Sequence, residues 1–177
     1  MRKLPLLLII TALMPAIIHA QVASSIADSI KMASKSVYKN LTVKKFYKVN
    51  MTADISSNGP SVYKINDKPV SRLTYNRYLS FWENMETCKP CVLKAYDEND
   101  VLLSESVQYT DCPMGYYITY YSNGKIEMTG YYKDYSGNDW TNIYNKGYCR
   151  QHGTFTYYDI NGQVIKVEHY TNGVLDN

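Results

Sequence analysis

Four cysteines, Cys88, Cys91, Cys112 and Cys149, are the side chains of this chain with the most chemistry open to them. Cys88-Lys89-Pro90-Cys91 spells the CxxC pattern of thiol oxidoreductases. That chemistry needs a strand leading into the motif and a helix beginning at it, because a helix N-terminus lowers the pKa of the first thiol. Here the order is reversed: a helix-like stretch precedes the motif and a strand-like stretch follows it. A structural zinc site of four cysteines shows two close pairs, and only Cys88 and Cys91 are close. The remaining reading is structural. An even number of cysteines in an exported chain predicts two disulfides, with three connectivities open.

Other catalytic side chains are sparse. Of the three histidines, His19 falls in the leader segment. His152 precedes Gly153 in a connecting loop. His169 follows Glu168, and neighbours on a strand point to opposite faces, so the two do not form a base pair of groups. No GxSxG, HExxH, GxGxxG or phosphate-loop spelling occurs. The sequence therefore predicts no enzyme, no metal site and no cofactor. The distinctive residue is tyrosine: 19 Tyr against 3 Phe and 2 Trp. A row such as Tyr116, Tyr120, Tyr132 and Tyr158 could stack on sugar rings or dock an apolar patch of a partner. The alternative is that one tyrosine face packs on a helix and the other covers a one-layer sheet.

The compartment follows from the first twenty residues. Arg2 and Lys3 precede an apolar run from Leu4 to Ile18, and Ala20 stands before Gln21. This is the three-part pattern of a signal peptide, too short for a spanning anchor, which needs ~20 apolar residues. Residues 1–20 are expected to be removed. The product would be secreted or periplasmic, and no later stretch is apolar enough to span a bilayer. Cleavage would also remove two basic residues from a chain whose net charge is only +3. A nearly neutral protein is no candidate for nucleic-acid binding.

The elements that position these residues can be read in order. At 177 residues the chain has room for one domain of ordinary size. Residues 21–55 read as a leader, partly flexible, with a short helix through Ile26 and Ile30 as the alternative for its first part. Within it, Val43 to Val49 is a basic, β-leaning run suited to an edge strand guarded by lysines. Residues 56–90 form a strand–turn–helix unit: a loop at Ser56 to Pro60, strands at Val62–Ile65 and Pro69–Val70 around Asn66-Asp67, and a helix capped by Ser71. Tyr75, Tyr78, Leu79, Trp82 and Met85 then recur at helical spacing over about fifteen residues. From Val92 the period changes to two, and Val92–Tyr96, a turn at Asp97 to Asp100, and Val101–Val107 read as a hairpin.

Residues 91–177 carry an internal repeat. Gly115, Tyr117, Tyr120, Asn123, Gly124, Ile126 and Tyr132 recur as Gly153, Phe155, Tyr158, Asn161, Gly162, Val164 and Tyr170, and Asn172-Gly173 closes the last unit. A weaker first copy places Tyr96, Asn99-Asp100 and Leu102 at matching positions. The spacing between the second and third copies is longer, through an insertion near Asp134 to Gly147 around Trp140. Asn-Gly tolerates the positive φ of a tight hairpin turn, and aromatic residues on both sides fill a pleated face. One hairpin is marginal in water, so several must stack. The expected fold is mainly β (α+β): a single-layer antiparallel β-meander of stacked hairpin repeats, about six strands, with the preceding helix packed on it.

This pattern resembles the bacterial variants of the MORN repeat, and is similar to the hairpin repeats of YwqK-type antitoxin proteins. The chain departs from them in its cysteines, its helix and its one longer interval. The resemblance implies a non-enzymatic repeat surface for protein or membrane contact in a secreted protein of a gram-negative bacterium. An antitoxin role does not carry over, because such a role needs a cytoplasmic toxin. The function expected is an exported repeat protein presenting a tyrosine-rich β surface to a protein partner in the cell envelope. The alternatives are a thiol/disulfide or zinc protein using Cys88 and Cys91, or a glycan-binding module.

Overall fold

The computed structural model of the chain describes residues 6–57, 59–135, 143 and 148–177, and the side chains of these except 6–20 and 36. The loop residue Asn58 and most of the insertion around Trp140 lie outside the described residues, as do residues 1–5 of the expected signal peptide. The chain is mainly β. Among the described residues it has two helices, an eight-stranded sheet and a small three-stranded sheet. In chain order these are α1 (Leu6–Val37), β1 (Val43–Tyr47), β2 (Met51–Asp54), β3 (Val62–Ile65), β4 (Lys68–Val70), α2 (Arg72–Glu86) and β5 (Cys91–Tyr96). They are followed by β6 (Leu102–Tyr109), β7 (Cys112–Tyr120), β8 (Ile126–Tyr132), β9 (Gly153–Tyr158), β10 (Val164–Thr171) and β11 (Val174–Leu175). The large sheet runs β1-β5-β6-β7-β8-β9-β10-β11, antiparallel from β5 onward, with β1 added parallel to β5 at one edge. The small sheet is β2-β3-β4.

Three turns in the large sheet share one construction. Tyr96 pairs with Leu102, Tyr120 with Ile126, and Tyr158 with Val164, each beside a register irregularity. In each, the first turn residue donates its N–H across the turn: Asp97 to Val101 O, Tyr121 to Lys125 O, Asp159 to Gln163 O. The fourth turn residue donates back to the first: Asp100 to Asp97 O, Gly124 to Tyr121 O, Gly162 to Asp159 O. That fourth residue alone is left-handed, with φ of 62°, 80° and 89°. The Asn before it keeps ordinary φ. These are therefore longer turns in which a bulge supplies the positive φ, not two-residue Asn-Gly turns. Asn172-Gly173 differs: both residues have positive φ (53° and 85°), joining β10 to β11 by a two-residue turn.

α2 forms as its pattern predicts. Ser71 Oγ accepts from Thr74 N and caps the first turn. Four positions of the predicted stripe make contacts: Tyr75 meets Tyr63, Tyr78 meets Tyr47, Trp82 meets Phe46, and Met85 packs beside Cys88 and Cys91. Tyr78 and Phe81 pack around Tyr47 of β1, at ring distances of 5.2 and 4.6 Å, while Leu79 stays exposed. Phe46 and Tyr47 are adjacent on β1 and both need cover, so the helix lies along that edge strand. Lys44 Nζ donates to Thr87 O at the helix C-terminus, where a cation is favoured.

Residues 21–37, the first part of the expected leader, belong to α1, which lies on β7 and β8. Ala23, Ala27 and Ser34 are buried there, small enough to bring the helix backbone close to the sheet. Ser34 Oγ accepts from Tyr116 N at 2.9 Å. Gly115 sits under this contact with φ of 62°, and a Cβ there would lie 2.4 Å from Ser34 Oγ. The main core is Ala27, Tyr38, Val107, Cys112, Met114, Tyr116, Ile118, Tyr135 and Ile143. Among the described residues, no helix is long and apolar enough to cross a membrane.

Candidate functional site

The pleat of the sheet decides which tyrosines are available. On β7, Tyr116, Ile118 and Tyr120 face α1, and Tyr117 and Thr119 face away. Through the register, Thr129 and Tyr131 on β8 and Thr156 and Tyr158 on β9 share the α1 face. Of the four tyrosines suggested from the sequence, Tyr116 and Tyr158 are thus buried core residues, 5% and 1% exposed. Tyr120 is half-buried on the same side, and only Tyr132 lies on the opposite face. The four do not form one surface, because adjacent residues of a strand point to opposite faces and Tyr132 pairs with Gly115 rather than with Tyr116. Tyr116 serves instead as a buried donor, its hydroxyl 2.7 Å from Glu105 Oε1.

The face turned away from α1 carries a continuous aromatic row. Tyr117, Tyr132, Phe155 and Tyr170, one from each of β7 to β10, stand 5.6, 5.6 and 5.4 Å apart between successive ring centroids. The two contacts of Phe155 are edge-to-face, the geometry the ring quadrupole favours. Phe155 is fully buried, although the two helices make their main contacts elsewhere. The reason is Gly130, which leaves a gap in the pleat of β8: a Cβ there would lie 2.3 Å from the Phe155 ring. Phe155 drops into that gap and its tyrosine neighbours close around it, remaining half-buried themselves. Burial pushes the Tyr132 phenol up from its ordinary value, helped by the Tyr117 and Tyr170 hydroxyls.

A charged rim borders the row on β9 and β10. Lys166 Nζ lies 2.6 Å from Glu168 Oε1 and 5.4 Å from the centre of the Tyr157 ring. Tyr170 donates to Glu168 Oε2. Lys166, followed by the Tyr157 hydroxyl, holds the Glu168 carboxyl below its ordinary value. Burial, followed by Glu168, raises the Tyr157 phenol to about 12. This combination of aromatic centre and polar rim is the make-up of protein-binding patches. Sequence reasoning found the tyrosine wealth but missed Phe155, Tyr157 and Tyr117 as its useful members. The signal was the parity of each tyrosine relative to Gly115 and Gly153.

The cysteines pair as Cys88–Cys91 and Cys112–Cys149, with Cα separations of 5.1 and 5.0 Å. Cys88, Cys91 and Cys112 are completely buried. Cys88 follows the C-terminus of α2, the negative end of the helix, which opposes rather than favours a thiolate. The first pair lies under Phe46, Met85 and Leu93. The second joins the start of β7 to the segment entering β9, bracketing the insertion. Cys88–Cys91 joins the end of α2 to the start of β5. Among the described residues no three His, Cys, Asp or Glu side chains stand together as a metal site. His169 Nδ1 lies 3.0 Å from Thr154 Oγ1 on an exposed part of the sheet.

One further polar cluster is built into the α1 side. Glu105 is buried, and Lys31 Nζ from α1 and Lys94 Nζ from β5 each reach it at 3.0 Å. Burial pushes its carboxyl up, but the Tyr116 hydroxyl, Lys94 and Lys31 together hold it below the ordinary value. It pins helix, strand and sheet core together. No protein-family model matches the chain, and no curated protein or solved structure matches it.

Proposed function

We propose that this chain is an exported, non-enzymatic repeat protein that presents an aromatic β surface to a protein partner in the cell envelope. The observation that carries the reading is the row Tyr117–Tyr132–Phe155–Tyr170 with its Lys166–Glu168 rim. Large rigid rings set among paired charges bind with little loss of side-chain entropy. In this reading β5 to β10 are stacked hairpin repeats of one single-layer meander, related to the MORN-type repeats the sequence resembles. The second and third repeats, β7–β8 and β9–β10, each contribute one strand pair to the row. Two disulfides fit the oxidising compartment that a signal peptide leads to.

The test is crosslinking in the native envelope with a C-terminal tag, followed by mass spectrometry of what co-purifies. The wild type is compared with Tyr132→Ser/Tyr170→Ser, which alters the row but no buried residue. A reproducible partner lost in the variant supports the reading. A partner retained by the variant moves the docking site elsewhere. Retention on a glycan panel with no protein partner replaces this reading by the carbohydrate-binding one.

A further inference from the structure

A second site lies on the other side of the sheet, where α1 ends before the sheet does. The helix covers β7 and β8 but leaves the β1–β5 edge open. Between the end of α1 and that edge is a cavity of about 490 Å³. This is within the ~300–1,000 Å³ of small-molecule sites. Its floor is apolar: Leu41, Val43, Val92 and Val107, with the flank of Tyr116. Val43, at its margin, is 62% exposed, a large apolar side chain that the fold leaves uncovered. The polar groups beneath are already satisfied. Ser34 Oγ accepts from Tyr116 N, and the Tyr116 hydroxyl is held by Glu105.

The charge at the cavity has one sign. Lys35 and Lys39 line it, and no acidic residue does. Neither lysine has an ion-pair partner among the described residues, whereas Lys31 and Lys94 are both engaged with Glu105. Those two cations on one carboxylate leave a net positive charge behind the Tyr116 wall. An apolar floor with unpaired cations at the rim fits an amphiphile with one alkyl chain and an anionic head. A neutral alkane would leave the lysines idle, and a cationic amphiphile would be repelled.

We propose that this cavity binds the alkyl chain of an anionic amphiphile, a long-chain carboxylate, with Lys35 and Lys39 taking the head. The site is independent of the aromatic row, which faces the opposite side of the sheet. The probe is dodecanoate, titrated by calorimetry into the purified oxidised protein. Dodecyltrimethylammonium and dodecanol serve as head-group controls. Expected is one-to-one binding of dodecanoate, about tenfold tighter than either control. Val43→Trp fills the cavity from an exposed position and should abolish binding. Lys35→Gln/Lys39→Gln should weaken dodecanoate about tenfold and leave dodecanol unchanged. Unchanged circular dichroism melting of both variants shows that the fold is intact. Dodecanoate binding that survives Val43→Trp, equal binding of the cationic probe, or no binding to the wild type overturns the proposal. Sedimentation with phosphatidylglycerol vesicles distinguishes the source. Vesicle binding abolished by Val43→Trp assigns the chain to a membrane lipid, and its absence assigns the site to the free acid.

Discussion

Replacing Gly130 by Ala should destabilise the protein through a single neighbour, Phe155. A Cβ at position 130 would lie 2.3 Å from both Cδ1 and Cε1 of that ring and 2.8 Å from Cζ. Carbon atoms in contact rest at ~3.5–4.0 Å, so the ring must retreat by roughly 1.2 Å. It has no free direction, because Tyr132 and Tyr170 meet it edge-to-face on either side. Overpacking of a fully buried site costs about 1–3 kcal/mol. Against this, Ala in place of Gly within a strand gains about 0.5–1 kcal/mol from the unfolded chain. The net expectation is a loss of about 1–2 kcal/mol from these two effects. Phe155→Ala alone should cost about 3–5 kcal/mol, as for other buried aromatic truncations. In that background Gly130→Ala should turn stabilising by about 0.5–1 kcal/mol, because only the unfolded-state gain remains. The coupling energy between the sites is then about 1.5–3 kcal/mol. Urea unfolding of the four oxidised proteins, with matching m-values, measures it. Phe155→Leu, a milder truncation, gives the same sign if the Ala variant is too unstable. A neutral Gly130→Ala, or an equal effect in both backgrounds, refutes the idea that the gap in β8 exists to seat Phe155.

The two disulfides should contribute unequally. Cys112–Cys149 spans a sequence separation of 37, which corresponds to ~4 kcal/mol of loop entropy, and Cys88–Cys91 spans 3, which corresponds to ~2 kcal/mol. Thermal unfolding of Cys112→Ala/Cys149→Ala and Cys88→Ala/Cys91→Ala should rank them in that order. Glu105→Gln should destabilise by about 1–3 kcal/mol at neutral pH, since it removes the buried charge that pairs with Lys31 and Lys94 and replaces one acceptor oxygen by an NH2 donor. Because the folded-state pKa of Glu105 is lowered, its contribution is full above the ordinary value of 4.5 and fades as pH falls through the lowered one. The stability gap between wild type and Glu105→Gln should therefore close on acidification, as followed by urea midpoints across pH. Tyr120 and Tyr131 are raised to about 12, chiefly by burial, so the stability they carry is full below pH 10 and is lost as pH rises from there through about 12. Ultraviolet titration should show them ionising late, together with unfolding. Gly124→Ala forces a side chain onto a φ of 80° and should cost about 1–2 kcal/mol by chemical denaturation.

Local chemistry determined much of this protein from sequence alone. Ser71 caps α2 and the aromatic period sustains it, both within a few turns of one helix. The recurrent turns at Asp97, Tyr121 and Asp159 arise because one residue in each can accept positive φ and a nearby side chain can hold the loop. Asp97 and Asp159 each accept two backbone N–H groups through Oδ1. The alternation of the strands then sets which residues share a side. What the tertiary structure alone decided was which side meets α1. The small residues Ala23, Ala27 and Ser34 lie far from the sheet in sequence, yet their close approach makes Tyr116 core and leaves Tyr117 open. The same holds for the disulfide pairing, since Cys149 meets Cys112 only after an insertion has returned the chain to the start of β7. It holds for Gly130, whose missing side chain has meaning only once β9 lies beside β8 and Phe155 needs a seat. Turns and periods are settled by contacts a few residues long, whereas faces, pairings and cavities depend on which distant surfaces come to share the same core.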